Sequence, residues 1–180
     1  GVKRLVILST DKAIYPINAM GMSKALMEKV MIAASKRIVD GQIKDTILCG
    51  VRYGNVLYTR GSVLPYFVAL MKQGKKLEVT NPDMTRFLLP LTNAVDLVLF
   101  ALITGENGHM YVRKSPAATI EVLATAVCKI FKYEKGYEVV GVRAGEKMHE
   151  TLVTKEELLR AQDLGDYYKI PPETQGLDYG

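Results

Sequence analysis

Residues 5–8, Leu-Val-Ile-Leu, form an unbroken apolar run that follows Lys3-Arg4 and stops at the polar triplet Ser9-Thr10-Asp11. So short a run without polar alternation is what a parallel strand buried on both faces requires. Pro16 and Asn18 then signal a turn, residues 19–39 read as a helix, and Asp40-Gly41 stops it. Residues 46–52 are β-rich, Gly54-Asn55 turns the chain, and residues 62–72 read as a second helix with Pro65 in its first turn. The first 75 residues thus run β, α, β, α, the order of a parallel α/β sheet.

The second half is cut into shorter pieces. Strands are expected at 77–80, 86–89, 109–112 and 137–142. Helices are expected at 93–103, with Thr92 as N-cap, and at 119–131. Thr154 and Glu157 have the spacing of a capping box, and the chain after Gly165, rich in Pro and Gly, reads as irregular.

Hydrophobic residues at 48% and charged residues at 24% of 180 exclude a disordered chain and allow a sizeable core. The net charge of +5 is spread among 19 acidic residues without a basic block, which favours a phosphorylated small molecule over nucleic acid as partner. Cys49 and Cys128 lie in apolar runs, as reduced core residues do. No apolar run reaches the length of a membrane span and no signal-peptide pattern opens the chain, so a soluble cytoplasmic protein is expected. His109 is isolated and His149, beside Glu150, lacks a second histidine at zinc-helix spacing, so no metal site is expected. There is also no strand, glycine-rich turn and helix of the kind that holds a dinucleotide pyrophosphate. If the chain belongs to a dinucleotide enzyme, its first half-sheet lies outside these residues.

Two places carry candidate chemistry. Met20, Lys24, Met27, Met31, Ala34 and Ile38 share a helix face on which only Lys24 is charged. A buried ammonium there must be paired or bound, whereas one that follows its stem to solvent costs little. Thr10-Asp11-Lys12 stands at the carboxyl end of a buried strand, where open α/β sheets bind ligands. It is either an acid and a base set side by side or a turn capped by Asp11.

The stretch LSTDKAIYPINAMGMSKALMEKV, residues 8–30, resembles the active-site region of extended short-chain dehydrogenases/reductases. More narrowly it is similar to the bacterial UDP-N-acetylglucosamine 4,6-dehydratases of capsule and O-antigen polysaccharide biosynthesis. In that family a Thr-Asp-Lys triplet ends the strand and a Tyr-x-x-x-Lys pair opens the helix. Here Met20 stands in the tyrosine position before Lys24, as in the branch that also inverts C5. That departure removes a phenolic base and shifts the burden to Lys24, Asp11 and Lys12.

The resemblance continues along nearly the whole chain. Arg52-Tyr53-Gly54-Asn55-Val56 is similar to the turn beside the nicotinamide, Arg60-Gly61-Ser62-Val63 to a segment around the nucleotide, Met84-Thr85-Arg86-Phe87 to one aiming an arginine at the diphosphate. Arg143-x-Gly145-Glu146 resembles the closing motif, with an arginine on phosphate and an acid on the uridine ribose.

The resemblance implies the C-terminal part of a Rossmann-like, doubly wound parallel sheet plus a smaller α/β substrate-binding domain. Residues 1–60 would be the second half of the NAD(P)-binding domain, and 61–180 mainly the nucleotide-sugar-binding domain, with segments returning to the sheet. It implies NAD(P), with NADP favoured, held by Ser9, Lys24, Tyr53 and Val56. It implies UDP-N-acetylglucosamine or a related UDP-sugar on Asn55, Arg60, Ser62, Arg86, Arg143 and Glu146.

In the implied dehydration Asp11 protonates the C6 hydroxyl, Lys12 removes the C5 proton, Thr10 bonds the C4 hydroxyl, Lys24 holds the nicotinamide ribose, and Met20 fills the phenol's place. The full-length form is expected to be a homo-oligomer, and the isolated piece inactive and poorly soluble through its exposed sheet edge. Two rivals stand: a UDP-glucose or UDP-N-acetylglucosamine 4-epimerase, which has no need of Asp11-Lys12, and a non-catalytic nucleotide-sugar-binding module.

Overall fold

The computed structural model describes residues 1–41 and 46–173. In chain order the elements are β1 (Arg4–Thr10), a 3-10 turn (Asp11–Ala13), α1 (Ala19–Val39), β2 (Ile47–Tyr53), α2 (Val63–Lys72), β3 (Leu77–Val79), β4 (Thr85–Phe87) and α3 (Leu91–Thr104). There follow β5 (Met110–Arg113), β6 (Ala117–Thr119), α4 (Ile120–Ile130), β7 (Tyr137–Val139), α5 (Lys155–Leu158), β8 (Gln162–Asp163) and β9 (Tyr167–Ile170). The chain divides into two compact units, one made of Gly1–Tyr53, Thr92–Lys114 and Thr151–Gly180, the other of Gly54–Leu91 and Ser115–Glu150.

The first unit holds a sheet in the order β1-β2-β5-β9-β8. β1, β2 and β5 are parallel, while β9 runs antiparallel to both β5 and β8. This is the α/β class expected from the sequence. Register pairs Val6 with Cys49 and Thr10 with Tyr53, so β1 and β2 end side by side. β2 is an interior strand and is buried from Cys49 through Arg52. Gly50 is required there, because a β-carbon would stand 2.5 Å from Met110 Sδ and 2.8 Å from Ile7 Cγ1. Leu97 and Ala101 of α3 close the core over Cys49, Val51 and Tyr111.

Three expectations are corrected in this unit. The tail after Gly165 is ordered sheet through residue 170, because β9 finds a partner along β5, with Met110 opposite Ile170 and Val112 opposite Tyr168. Thr92 lies inside α3, which begins at Leu91, and so is not its N-cap. The buried line of α1 overlaps the Met20–Ile38 stripe without coinciding with it: Met31 is buried and Lys24, Met27, Ala34 and Ile38 are half-buried, but Met20 is exposed, and Gly21, Glu28 and Ser35 join the buried residues. The helix is turned so that a carboxylate, Glu28, faces inward to meet Arg52.

The second unit packs α2 and α4 with two small sheets, β3 parallel to β7 and β4 antiparallel to β6. Its core is Phe67, Leu70, Leu77, Val79, Met84, Ile120, Ala124 and Val127. Thr119 caps α4 by accepting from the Val122 amide. β7 is shorter than expected: Val140 N still donates to Val79 O at 2.9 Å, and Gly141, at φ +93°, then turns the chain away. No helix among the described residues is long and apolar enough to cross a membrane.

Candidate functional site

In the first unit the chemistry gathers where β1 ends. Thr10 is extended, and its hydroxyl donates to Asp11 Oδ1 at 2.8 Å. Asp11 is wholly buried. Its Oδ1 also receives Lys12 Nζ at 3.0 Å, while its Oδ2 has no hydrogen-bond partner among the described residues. A buried carboxylate oxygen without a donor is costly in a folded protein and calls for a partner from outside the described residues, such as a water, an ion or a ligand group. The triplet is therefore a carboxyl and an amine in contact, one oxygen of the pair remaining unengaged.

α1 completes this arrangement. Asn18 caps the helix by accepting from Gly21 N at 2.9 Å. Lys24, partly buried, donates from Nζ to the Leu8 carbonyl at 3.0 Å, so its stem runs back to the strand rather than out to solvent. An ammonium has three donors, and the one spent on Leu8 anchors the other two near the strand end. Ser9 is buried and its hydroxyl donates to Glu28 Oε1. Tyr53 pairs with Thr10 across the sheet. The structure thus brings Ser9, Thr10, Asp11, Lys12, Lys24 and Tyr53 to one end of the sheet. Met20 is exposed on the first turn of α1, its carbonyl accepting from Ser23 Oγ at 2.8 Å.

In the second unit a cavity of ≈ 570 Å³ is lined by Asn55, Val56, Ser62, Arg86, Arg143 and Glu146, among others. Arg60 is not among its lining residues. Val56, expected at the cofactor, sits in this wall and is bridged to Leu89. Gly54 permits the approach, since a β-carbon there would stand 2.5 Å from Phe87 Cβ. The buried Asn55 Oδ1 has no hydrogen-bond partner among the described residues. Arg86 is held by Nη1, which donates to the carbonyls of Thr85 at 2.8 Å and Lys147 at 3.0 Å. Two guanidinium groups, an amide and the Glu146 carboxylate in one cavity suit an anion joined to a hydroxyl-bearing group.

Several contributors have no signature in the sequence. Tyr66 and Glu78 also line the cavity, and the Tyr66 hydroxyl donates to Glu78 Oε2. That bond to a carboxylate holds the Tyr66 hydroxyl above the usual phenol range, with the Arg143 guanidinium opposing it. They come from α2 and β3, whose sequence shows only apolar periodicity. The meeting of Glu28 and Glu157 on Arg52 likewise has no local signature, although the sequence marks Glu157 as a capping-box residue. For Glu28 the available signal was its position one helical turn after Lys24. His149 Nδ1 is hydrogen-bonded to Thr85 Oγ1 at 3.0 Å and His109 Nδ1 to Asn107 O at 3.1 Å.

A sheet whose strands β1, β2 and β5 run parallel, with an acid–amine pair where β1 ends, defines an α/β fold. The chain belongs to the polysaccharide biosynthesis protein family, whose sequence profile matches residues 1–172. It is 52% identical over 178 residues to a Rickettsia rickettsii (strain Sheila Smith) protein named UDP-glucose 4-epimerase, a match covering 99% of this chain and 51% of that one. The chain therefore spans about half the length of the curated relatives it matches.

Among solved structures, Pen from Bacillus thuringiensis is similar with a TM-score of 0.88 and 32% identity, over 96% of this chain and 54% of that one. DesIV, a dTDP-glucose 4,6-dehydratase from Streptomyces venezuelae solved with NAD and TYD bound, has a TM-score of 0.71 at 18% identity. That match covers 85% of this chain and 52% of DesIV, and is a likeness of fold.

Proposed function

We propose that this chain is the catalytic and substrate-binding part of an NAD(P)-dependent UDP-N-acetylglucosamine 4,6-dehydratase. Its product would be a 4-keto-6-deoxy sugar for bacterial surface polysaccharide, with inversion at C5 in the branch that carries Met20. The observation that carries this reading is the Asp11–Lys12 pair, a buried carboxyl 3.0 Å from an amine. A 4-epimerase has no use for such a pair.

Ser9, Lys24 and Tyr53 would hold NAD(P)+, which when bound would supply reversible hydride acceptance between sugar C4 and C6. Lys24, anchored on the Leu8 carbonyl, would hold the nicotinamide ribose with its remaining donors and lower the barrier for deprotonating the C4 hydroxyl. The Thr10 hydroxyl would bond that C4 oxygen. Met20 leaves room for water to relay the proton.

Lys12, as the amine, takes the C5 proton, and Asp11, as the acid, gives a proton to the departing C6 hydroxyl. One proton enters the pair and one leaves it, so elimination ends with an ammonium facing a carboxylate. Proton transfer across the 3.0 Å contact would reset it. In the cavity, Arg86 and Arg143 would take the diphosphate, Asn55 and Ser62 the groups beside it, and Glu146 the uridine ribose.

A second reading, UDP-glucose 4-epimerase, is favoured by the name of the Rickettsia relatives at 52% identity. The deciding experiment is NMR of UDP-N-acetylglucosamine in D2O with the complete protein, loaded in turn with NAD+ and NADP+. A C6 methyl signal with deuterium at C5 establishes dehydration, and the rate with each nucleotide tests the NADP preference. Conversion to the galacto isomer with its C6 hydroxymethyl intact, or the same isomerisation of UDP-glucose, establishes the epimerase. Binding without conversion of either sugar leaves a nucleotide-sugar-binding module. Cytoplasmic location and a homo-oligomer complete the proposal, the latter read from sedimentation of the complete protein.

A further inference from the structure

Arg52 is a buried guanidinium whose five N–H groups are all engaged. Nε donates to Glu28 Oε1 at 2.9 Å and Nη2 to Glu28 Oε2 at 2.6 Å. On its other side Nη2 donates to Glu157 Oε1 and Nη1 to Glu157 Oε2, each at 2.8 Å, and Nη1 also reaches the Leu152 carbonyl at 3.2 Å. Two carboxylates therefore grip one guanidinium in fork geometry from opposite sides. The side chains of Arg52, Glu28 and Glu157 are 5%, 7% and 15% exposed, so solvent does little to loosen the grip.

The two carboxylates lead to different places. Glu28 also accepts from the Ser9 hydroxyl, one residue before Thr10-Asp11-Lys12. One helical turn earlier on α1, Lys24 bonds the Leu8 carbonyl. Two side chains of α1 thus bind two successive residues of β1 and fix the helix against the strand end. Glu157 belongs to α5, where its Oε2 accepts from Thr154 N at 2.9 Å and its own amide donates to Thr154 Oγ1 at 3.1 Å. A buried ion cluster of this kind adds little net stability over apolar packing, but here it ties five N–H groups of one guanidinium to fixed acceptors.

We infer that Glu157 is a positioning residue for the reaction: through Arg52 and Glu28 it holds Ser9, and with it the Thr10-Asp11-Lys12 triplet, in working register with Lys24. The inference rests on the reading of that triplet as the acid–base pair. The Glu157 carboxylate is thereby a clamp on chemistry carried by residues 9–24. None of the three clamp residues lines the nucleotide-sugar cavity, so loosening the clamp acts on turnover rather than on substrate binding.

The test uses the complete protein with NAD(P)+ and UDP-sugar. E157Q replaces one gripping oxygen by an NH2 that faces an arginine donor, and kcat is expected to fall roughly 10- to 100-fold, as for a small displacement of reacting groups. KM should stay within about threefold. The amides of Ser9, Asp11 and Lys12 should exchange with solvent about tenfold faster while those of β5 are unchanged. T154A, which removes the α5 side-chain cap but leaves the Glu157 carboxylate, should leave kcat unchanged.

Unchanged kcat in E157Q, an unchanged exchange rate at Ser9–Lys12, or an equal loss in T154A overturns the inference. If E157Q does not fold, E157D, which keeps the charge one methylene short, must show the same loss in milder form. D11N separates the two claims. A fully active D11N overturns the functional reading, with amide exchange still testing the clamp, whereas an inactive D11N beside an unimpaired E157Q overturns the clamp alone.

Discussion

A β-carbon built on Gly21 would stand 2.4 Å from the carbonyl oxygen of Lys12. The first turn of α1 is thus pressed against the backbone of the residue that carries the amine of the pair, and only glycine allows the contact. Gly21→Ala must push backbone against backbone, and a loss of about 1–3 kcal/mol is expected. The midpoint of denaturant unfolding measures it. Turnover should fall with it, because the Lys12 carbonyl cannot recede without moving the Asp11–Lys12 contact.

Lys12→Met keeps the length of the side chain and removes the amine. Solvent deuterium should then no longer enter sugar C5, and no C6 methyl product should form. Retained incorporation at C5, followed by proton NMR, assigns the base elsewhere.

Arg143 and Arg60 separate the cavity from its surroundings. Arg143 lines it and Arg60 does not. Arg143→Ala should weaken UDP binding by about 10- to 100-fold, the worth of a charge-assisted contact to phosphate. Arg60→Ala should change it by no more than about threefold, as for an exposed charge. Calorimetric titration with UDP reads both, and equal losses would place the diphosphate differently.

Burial pushes the Cys49 thiol up to about 11, with Arg4 partly opposing. At pH 8 only about one part in a thousand is thiolate, the reactive form, and that fraction grows as pH rises toward 11. Cys128 is also raised by burial but is less enclosed. Alkylation of the native protein at pH 8 should label Cys128 first and Cys49 only on unfolding, which peptide mapping resolves. Early labelling of Cys49 would mean that β2 is not an enclosed interior strand of its sheet.

What the sequence discloses is what is local. The strand before Ser9, the turn at Pro16 and Asn18, the full span of α1 and the Thr154–Glu157 capping box follow from neighbouring residues, and the structure has them. The expected burial of that strand on both faces is not found, since Leu5 and Leu8 are each 43% exposed. β9 escapes because Tyr167–Ile170 is a strand only by virtue of β5, more than fifty residues earlier. The inward turn of α1 escapes for a related reason. Counting apolar steps finds Met31 but also selects the exposed Met20, and it passes over Glu28, which is drawn inward by Arg52, 24 residues away. Tyr66 and Glu78 are ordinary residues of α2 and β3 until the fold sets one against the other. Charge pairs and short strands are settled by distant partners, and their sequence carries no period to reveal them.

The first unit is assembled from three stretches, Gly1–Tyr53, Thr92–Lys114 and Thr151–Gly180, with the second unit's residues threaded between them. On a ribosome, β1 and β2 therefore emerge early and wait for β5, and then for β9, before their sheet is complete. During that interval Arg52 and Glu28 are already made and Glu157 is not. A chain halted after residue 150 would carry the triplet and Lys24 but lack the far half of the Arg52 grip, leaving a buried site with one carboxylate where two belong.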